Sequence, residues 1–250
     1  ADFGSVITAK ASYTDGGSTA ETVTSAGTQS VSTPPVDLNS TATLTIAENQ
    51  PIGTVVGEFN ATDPDPGATL TYHLASGAGD GNNTLFTLET NGTLKTATTF
   101  DYESNASSYA IRVKVKDEYN ASMENNFTVT LTDVNEVPAI TQGAGPLTKN
   151  VAEDGLATWT ASELNATDVD TASGSLTWSV SSAASNGVAT VSGTGSSPSA
   201  FTYAPATDYF GSDSFTVQVS DGILTDSIIV NMTMLAVGDP PVITQGAGPL

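Results

Sequence analysis

A chain of 250 residues with 27 acidic and 6 basic groups, a net charge of −21, repels phosphate backbones and anionic bilayers and attracts divalent cations, which excludes nucleic acid as a partner. The apolar share of 38% suffices for small sandwich cores. Cysteine is absent, so disulfides and thiolate metal sites are unavailable, and no apolar run in this segment is long enough for a membrane span.

In chain order, residues 1–33 carry ITAKASYTDGGSTAETVTSAGTQSVS, two strands around a Thr-Asp-Gly-Gly turn. That is too short to bury a core alone and reads as the C-terminal strands of a preceding repeat. Leu70, Tyr72 and Leu74 alternate with Thr69, Thr71 and His73, the period of a half-buried strand. The same alternation runs through Tyr109, Ile111, Val113 and Val115, and through Phe127, Val129 and Leu131. It returns in Leu176, Trp178 and Val180, then in Phe215, Val217 and Val219, then in Ile228, Val230 and Met232. No segment has a 3.6-residue apolar stripe, so almost no helix is expected.

The two halves repeat each other. IAEN at 46–49 matches VAED at 151–154, and NATDPD at 60–65 matches NATDVD at 165–170, both offset by 105. VKVKD at 113–117 matches VQVSD at 217–221, offset by 104, and ITQGAGPL occurs at 140–147 and again at 243–250, offset by 103. An offset near one hundred residues is the size of one all-β domain. The expected domains are 34–137 and 138–240, with 241–250 as the first strand of a following repeat. The ends carry two expectations: a window on a longer array, or a filament subunit whose terminal strands add to the sheets of neighbouring protomers.

In the first repeat IAEN, ATDPDPG, FDYES, VKD and DVNEVP stand in the order and approximate spacing of the cadherin-repeat calcium motifs, and about 100 residues closely resemble that family. The second, with YAPATDYFGSDSFTVQVSDG, looks more like the divergent cadherin-like and immunoglobulin-like arrays of bacterial surface proteins. The fold implied is all-β, tandem antiparallel Greek-key β-sandwiches. Calcium takes six to eight oxygen ligands at about 2.3–2.6 Å, more than any one loop of this chain offers, and a sandwich can converge them at its pole. The resemblance implies that Glu48, Asp101, Glu103, Asp133, Asn135 and Glu136 meet Asp168, Asp170 and Asp221 around Ca2+ at the main junction. It places Asp63, Asp65 and Asp117 at the leading junction and Glu153, Asp208 and Asp239 at the trailing one. Three departures stand out: Glu136 occupies a position where the family usually has Asp, the trailing VGDPPV keeps Asp239 but lacks the Asn and the second acid, and the leading TPPVDLN has no recognisable match. The ion's role would be mechanical, stiffening junctions whose carboxylates otherwise repel one another.

Nine of the fifteen asparagines begin Asn-X-Ser/Thr: Asn39, Asn60, Asn82, Asn91, Asn105, Asn120, Asn126, Asn165 and Asn231. These are expected glycosylation acceptors, and they point to an extracellular or cell-surface address. His73 reads as a solvated outward residue, and Arg112, Lys114 and Lys116 form a basic outward stripe. Nothing marks a nucleophile elbow, phosphate loop or hydrolase motif, so a non-enzymatic array is expected, acting in adhesion or as a spacer in a surface fibre. Its expected partners are calcium, copies or neighbouring repeats of its own kind, and a cell-surface or polysaccharide ligand. A carbohydrate-binding module is the alternative, and it requires an exposed aromatic platform for which Trp159 and Tyr209 are the candidates.

Overall fold

The computed structural model describes residues 6–18, 20–28 and 32–241; the strand expected from the second ITQGAGPL lies outside them. The chain divides into two compact units, Ala1–Val134 and Asn135–Leu250. Two single turns of 3-10 helix, Asn83–Leu85 and Ser173–Ser175, are the only helical segments among the described residues, in accord with the absence of any helical stripe in the sequence.

Unit 1 opens with a hairpin of β1 (Lys10–Thr14) and β2 (Ala20–Thr24). A sandwich follows, built from β3 (Val36–Ser40), β4 (Thr45–Ala47), β5 (Val55–Thr62), β6 (Thr71–Leu74), β7 (Phe86–Leu88), β8 (Thr93–Thr96), β9 (Ser108–Lys116) and β10 (Ser122–Thr132). One sheet runs β3-β5-β8-β7 and the other β4-β10-β9-β6. Alternation fixes which side of β9 faces inward: Ile111, Val113 and Val115 are fully buried and Tyr109 nearly so, while Arg112, Lys114 and Lys116 stay half-buried on the outer side. Burying one such Val or Ile contributes about 1.5–3 kcal/mol relative to leaving it exposed. Phe86, Phe100 and Tyr109 close one end of the core, with ring centroids 4.8–6.1 Å apart.

Unit 2 contains β11 (Ala139–Ile140), β12 (Leu147–Ala152), β13 (Ala157–Thr158), β14 (Ala166–Thr167), β15 (Thr177–Ser182), β16 (Gly187–Ser192), β17 (Ala200–Pro205), β18 (Gly211–Ser220) and β19 (Thr225–Leu235). The sheet β12-β19-β18-β15 packs its inner side against β13-β17-β16, and β11 pairs with β14. Val217, Val219 and Val230 are fully buried, the positions at which the sequence alternates. Trp178 is a core residue as expected, and its indole N–H donates to the Gly195 carbonyl at 2.9 Å.

The sandwiches are mainly antiparallel, with one departure from the expectation. The first strand of each repeat changes sheets part-way. In unit 1, β3 pairs antiparallel with β5, and β4 then continues in the same direction beside β10, parallel to it. In unit 2, β12 runs parallel to β19 from Leu147↔Val230 to Ala152↔Leu235. Hydrophobic alternation specifies which face a strand buries but not which neighbour it pairs with, so this pairing is not visible in a local pattern.

The aromatic platform of the carbohydrate alternative is not formed by its two candidates. Trp159 is half-buried, stacked on Phe201 at 4.0 Å with planes 8° apart, and the Lys149 ammonium lies 4.8 Å from its ring centre. Tyr209 packs against the same core, its hydroxyl donating to the Ser212 carbonyl at 3.0 Å. Both side chains are engaged in packing rather than standing free as a platform.

One polar group organises unit 2 from within. The Asp213 carboxylate accepts the hydroxyl of fully buried Tyr203 and the Asn186 N–H, both at 2.8 Å, and the N–H groups of Ser185 at 3.1 Å and Ser214 at 2.8 Å. Burial pulls the Asp213 pKa up, but the hydrogen bonds from Tyr203, Asn186, Ser185 and Ser214 outweigh it and hold the group below its ordinary value. A depressed carboxylate contributes stability above its unfolded pKa of about 3.9, and that contribution is lost as pH falls through the folded value. Acid titration of unit 2, followed by Trp fluorescence, is expected to show a loss of stability below about pH 4 that Asp213→Asn flattens. A variant with the wild-type pH profile would assign the acid sensitivity to other carboxylates.

Candidate metal centre

At the leading pole of unit 2, Asp168 and Asp170 sit in the turn after β14, Asp221 in the turn between β18 and β19, and Asn135 and Glu136 in the entering chain. The short turn is built by its own carboxylate: Asp168 Oδ1 accepts the N–H groups of Asp170 at 3.0 Å and Thr171 at 2.7 Å. Glu136 N–H donates to Asp170 Oδ2 at 2.7 Å, and the Asn135 side-chain amide donates to Asp221 Oδ2 at 2.8 Å. Asp221 Oδ1 accepts the N–H groups of Ile223 and Leu224, both at 2.6 Å. The Asn135 amide, followed by the Ile223 N–H, holds the Asp221 pKa below its ordinary value, so the group is ionised at neutral pH.

The leading pole of unit 1 has a frame of the same kind, without a counterpart to the Thr171 N–H, since Pro66 has none to donate, and with the Ser32 hydroxyl also reaching Asp65 Oδ2 at 3.1 Å. Asp65 N–H donates to Asp63 Oδ1 at 2.8 Å, and Thr33 N–H donates to Asp65 Oδ2 at 2.8 Å. Ser32 donates its hydroxyl to Asp117 Oδ2, and Asp117 Oδ1 accepts the N–H groups of Tyr119 and Ala121, both at 2.9 Å. Ser32 and Thr33 thus stand where Asn135 and Glu136 stand, and the leading junction has its match after all, in residues without a carboxylate. The β1–β2 turn carries a third example, with Asp15 Oδ1 accepting the Gly17 N–H at 2.9 Å as Asp117 accepts that of Tyr119.

In both cradles the remaining oxygens are the telling ones. Asp63 Oδ2 and Asp65 Oδ1, and their equivalents Asp168 Oδ2 and Asp170 Oδ1, are buried without a hydrogen-bond partner. A buried carboxylate oxygen with no donor is costly, and the same pair left open in two repeats is what a hard cation would satisfy. The donor set, carboxylate and amide oxygen with no sulfur or imidazole, fits calcium.

The trailing poles use a different device. Glu48 is buried after β4, with Oε2 accepting the Tyr102 N–H at 2.6 Å and Oε1 the Val134 N–H at 2.8 Å. Each oxygen keeps a second lone pair. Asp101, Glu103 and Asp133 are exposed, and Asp101 holds its own loop through the Ser104 N–H at 3.0 Å and hydroxyl at 2.9 Å. In unit 2, Glu153 is likewise buried and accepts the Val237 N–H. The acids grouped there are Asp154, Asp208 and Asp239, each offering an oxygen within 4.8 Å of the others. Asp154, not Glu153, joins Asp208 and Asp239. The alignment of IAEN with VAED carried that signal, since Asp154 takes the position of Asn49 and both adopt positive φ, 59° and 58°.

Of the sequons, Asn39, Asn60, Asn91, Asn105, Asn120, Asn126 and Asn231 are exposed. Asn82 and Asn165 are half-buried, their amide oxygens accepting the Ala110 N–H at 3.0 Å and the Ser197 hydroxyl at 2.6 Å. His73 lies on the outer side of β6, half-buried, its pKa lowered by burial and then by Lys116 and Lys114. Within the basic stripe, Arg112 and Lys114 both pair with Glu124, at 2.8 and 3.2 Å.

The fold and the poles together define β-sandwich repeats with carboxylate cradles at their ends. Comparison with known families agrees: residues 42–132 match the cadherin domain and residues 135–233 match the bacterial Ig domain, so cadherin-like and immunoglobulin-like repeats follow one another in this chain. It is 32% identical over 107 residues to the Drosophila melanogaster protocadherin-like wing polarity protein stan, and 40% identical over 113 residues to human Protocadherin Fat 4. Those matches take in 41% and 42% of this chain and only 3% and 2% of the relatives. Among solved structures, the protocadherin gammaB7 EC3-6 cis-dimer is similar with a TM-score of 0.51 at 17% identity, covering 92% of this chain and 58% of that one. Human Protocadherin-24 EC1-2 gives 0.50 at 15% identity, covering 84% of this chain and all of that one, and both likenesses concern the fold alone. Cadherin domains are extracellular, non-enzymatic adhesion modules that generally bind Ca2+. No helix among the described residues is long and apolar enough to cross a membrane.

Glu48 also has a structural part separable from any ion. Glu48→Ala leaves the Tyr102 and Val134 N–H groups without their acceptor and is expected to cost unit 1 about 1–3 kcal/mol in urea unfolding, even in chelator. Glu48→Gln, which keeps an acceptor oxygen, is expected to lose less. Equal losses for the two variants would count against the hydrogen-bond account.

Proposed function

We propose that this chain is a segment of an extracellular adhesive or spacer array whose repeats are stiffened by calcium at their poles. The observation that carries the reading is the pair of buried, donorless oxygens in the Asp-X-Asp turn, present in both repeats. In this reading Glu48, Asp101, Glu103 and Asp133 of the first repeat act with Asn135, Glu136, Asp168, Asp170 and Asp221 of the second. Asp63, Asp65 and Asp117 serve the leading pole, and Asp154, Asp208 and Asp239 the trailing one, with Glu153 as the buried support. Calcium supplies positive charge that lets carboxylates approach. The protein's own part is to hold those oxygens in place through backbone N–H bonds, so that the ion orders the connecting residues rather than the sandwich cores.

The exposed sequons support an extracellular address, with Asn39, Asn60, Asn91, Asn105, Asn120, Asn126 and Asn231 as the accessible acceptors and Asn82 and Asn165 the hindered ones. Residues 1–33 read as the closing hairpin of a preceding repeat: Ile7, Tyr13 and Val23 are more than half exposed, whereas β9 and β18 bury the corresponding apolar side.

Calcium at one hundred times its dissociation constant adds about 2.7 kcal/mol per site, so chelation is expected to lower Tm by roughly 10 °C or more. Small-angle scattering is expected to show a wider distribution of conformations in chelator, with Asp133→Ala giving much of the same change and His73→Ala none. Superimposable melting and scattering curves with and without calcium would end the proposal. Separately, native mass is expected to exceed that of the bare chain and to fall on enzymatic deglycosylation; a native mass equal to the bare chain would remove the glycan argument.

A further inference from the structure

The loop that leads into β9 carries both a sequon and the rim of a cavity. Asn105, Ala106 and Ser107 form the sequon, and the first two line a cavity of about 360 Å³ together with Leu85, Thr98, Phe100 and Tyr109. That volume is many times the roughly 30 Å³ of one water and falls within the range of about 300–1,000 Å³ of small-ligand pockets. Asn105 and Ala106 are exposed, whereas Phe100 and Tyr109 are buried with their ring centroids 4.8 Å apart. The Tyr109 hydroxyl is buried without a hydrogen-bond partner. Burial pushes its pKa up, so it is a neutral O–H with a proton to donate. A buried donor left without an acceptor is costly, which calls for an acceptor from outside the chain's own side chains and backbone. At the rim, Asn105 Oδ1 accepts the Asp101 N–H at 3.2 Å and the Asn105 N–H donates to the Asp101 carbonyl at 2.9 Å. The amide nitrogen Nδ2, the atom that carries an Asn-linked sugar, takes no part in that pair.

Resting on the glycan reading above, we infer that the innermost sugar of a glycan on Asn105 is seated in this cavity, its ring against Leu85 and Phe100 and one of its oxygens accepting the Tyr109 hydroxyl. Attachment joins Nδ2 to the sugar's anomeric carbon, as that carbon parts from the phosphate carrier of an activated donor and Nδ2 gives up one proton. A sugar ring suits both parts of the wall, since its C–H face packs on apolar side chains and its oxygens accept hydrogen bonds. The bond to Asn105 makes the seating intramolecular, so no affinity for free sugar is required. The seated sugar covers the aromatic cluster of Phe86, Phe100 and Tyr109 that closes one end of the core. A cavity of about 480 Å³ in unit 2 supplies the contrast, because the sequon residue Asn231 lines it too. Its wall has no aromatic residue, and the Asp213 carboxylate in it is already occupied by the Tyr203 hydroxyl at 2.8 Å and by backbone N–H groups. A glycan on Asn231 therefore finds neither an apolar face nor an open buried donor, and stays in solvent.

The test compares the full chain expressed with and without Asn glycosylation, by scanning calorimetry. Ser107→Ala removes the sequon and leaves both Asn105–Asp101 hydrogen bonds in place. In the glycosylated chain it is expected to lower the Tm of unit 1 by about 4–8 °C, and in the bare chain to leave it unchanged. Tyr109→Phe should lower Tm in the glycosylated chain alone. Thr233→Ala, which removes the Asn231 sequon, should give the same small change in both forms. Nuclear Overhauser contacts between sugar protons at Asn105 and side-chain protons of Phe100 or Leu85 are the direct readout. A glycan on Asn105 without those contacts, or Ser107→Ala and Tyr109→Phe shifts that are equal in both forms, would overturn the seat and leave the cavity to solvent. Glycopeptide masses with Asn105 bare and other sequons occupied would overturn it as well, with the glycan reading still standing. Masses with every sequon bare would end both.

Discussion

A carboxylate oxygen that accepts a backbone N–H is fixed in direction as well as in place, and at the poles of both repeats that bond decides where the negative charge sits. Asp63 and Asp168 each fold a turn around one oxygen and turn the other inward. The entering chain donates to Asp65 or Asp170 and to Asp117 or Asp221, so the link between repeats is tied to the same groups that gather charge. Without this scaffold the acids would spread into solvent to relieve their repulsion. With it, a chain of net charge −21 keeps part of that charge concentrated at its turns.

The cores play the supporting part. Wholly buried Val113 and Val115 run into Asp117, and Val217 and Val219 run into Asp221, so the last inward side chains of each strand anchor the aspartate that follows. Position at the pole is thereby inherited from packing in the middle of the sandwich. Trp159 and Tyr209, which could have offered a sugar a flat surface, are drawn into the same packing instead.

What was legible in the sequence follows from how locally each feature is determined. A strand's buried face depends on its own alternation, so β9, β10, β18 and β19 could be read directly, and the Asp-X-Asp turns announce themselves because the carboxylate bonds within its own loop. Ser32 and Thr33 carry no such signal, because their contribution is a hydroxyl and a backbone N–H, and a pattern of acids contains neither. Asp154 is legible only through the match of VAED to IAEN, which puts it at the position of Asn49; of the two adjacent acids, Glu153 is buried and accepts the Val237 N–H, while exposed Asp154 groups with Asp208 and Asp239. The Asp213–Tyr203 bond joins two strands and leaves no spacing to recognise.

The change of sheet by each first strand has a consequence for load. Where the first and last strands of a repeat lie side by side and parallel, tension applied between the two ends of that repeat acts along the strands, and their hydrogen bonds must slide together before any separates. A hairpin pulled open at its end yields one bond at a time. The parallel seam is three residue pairs long in unit 1, Thr45–Ala47 against Thr130–Thr132, and six in unit 2, Leu147–Ala152 against Val230–Leu235. Under a pull shared by both, the seam of unit 1 is the shorter clasp, with half as many residue pairs to shear.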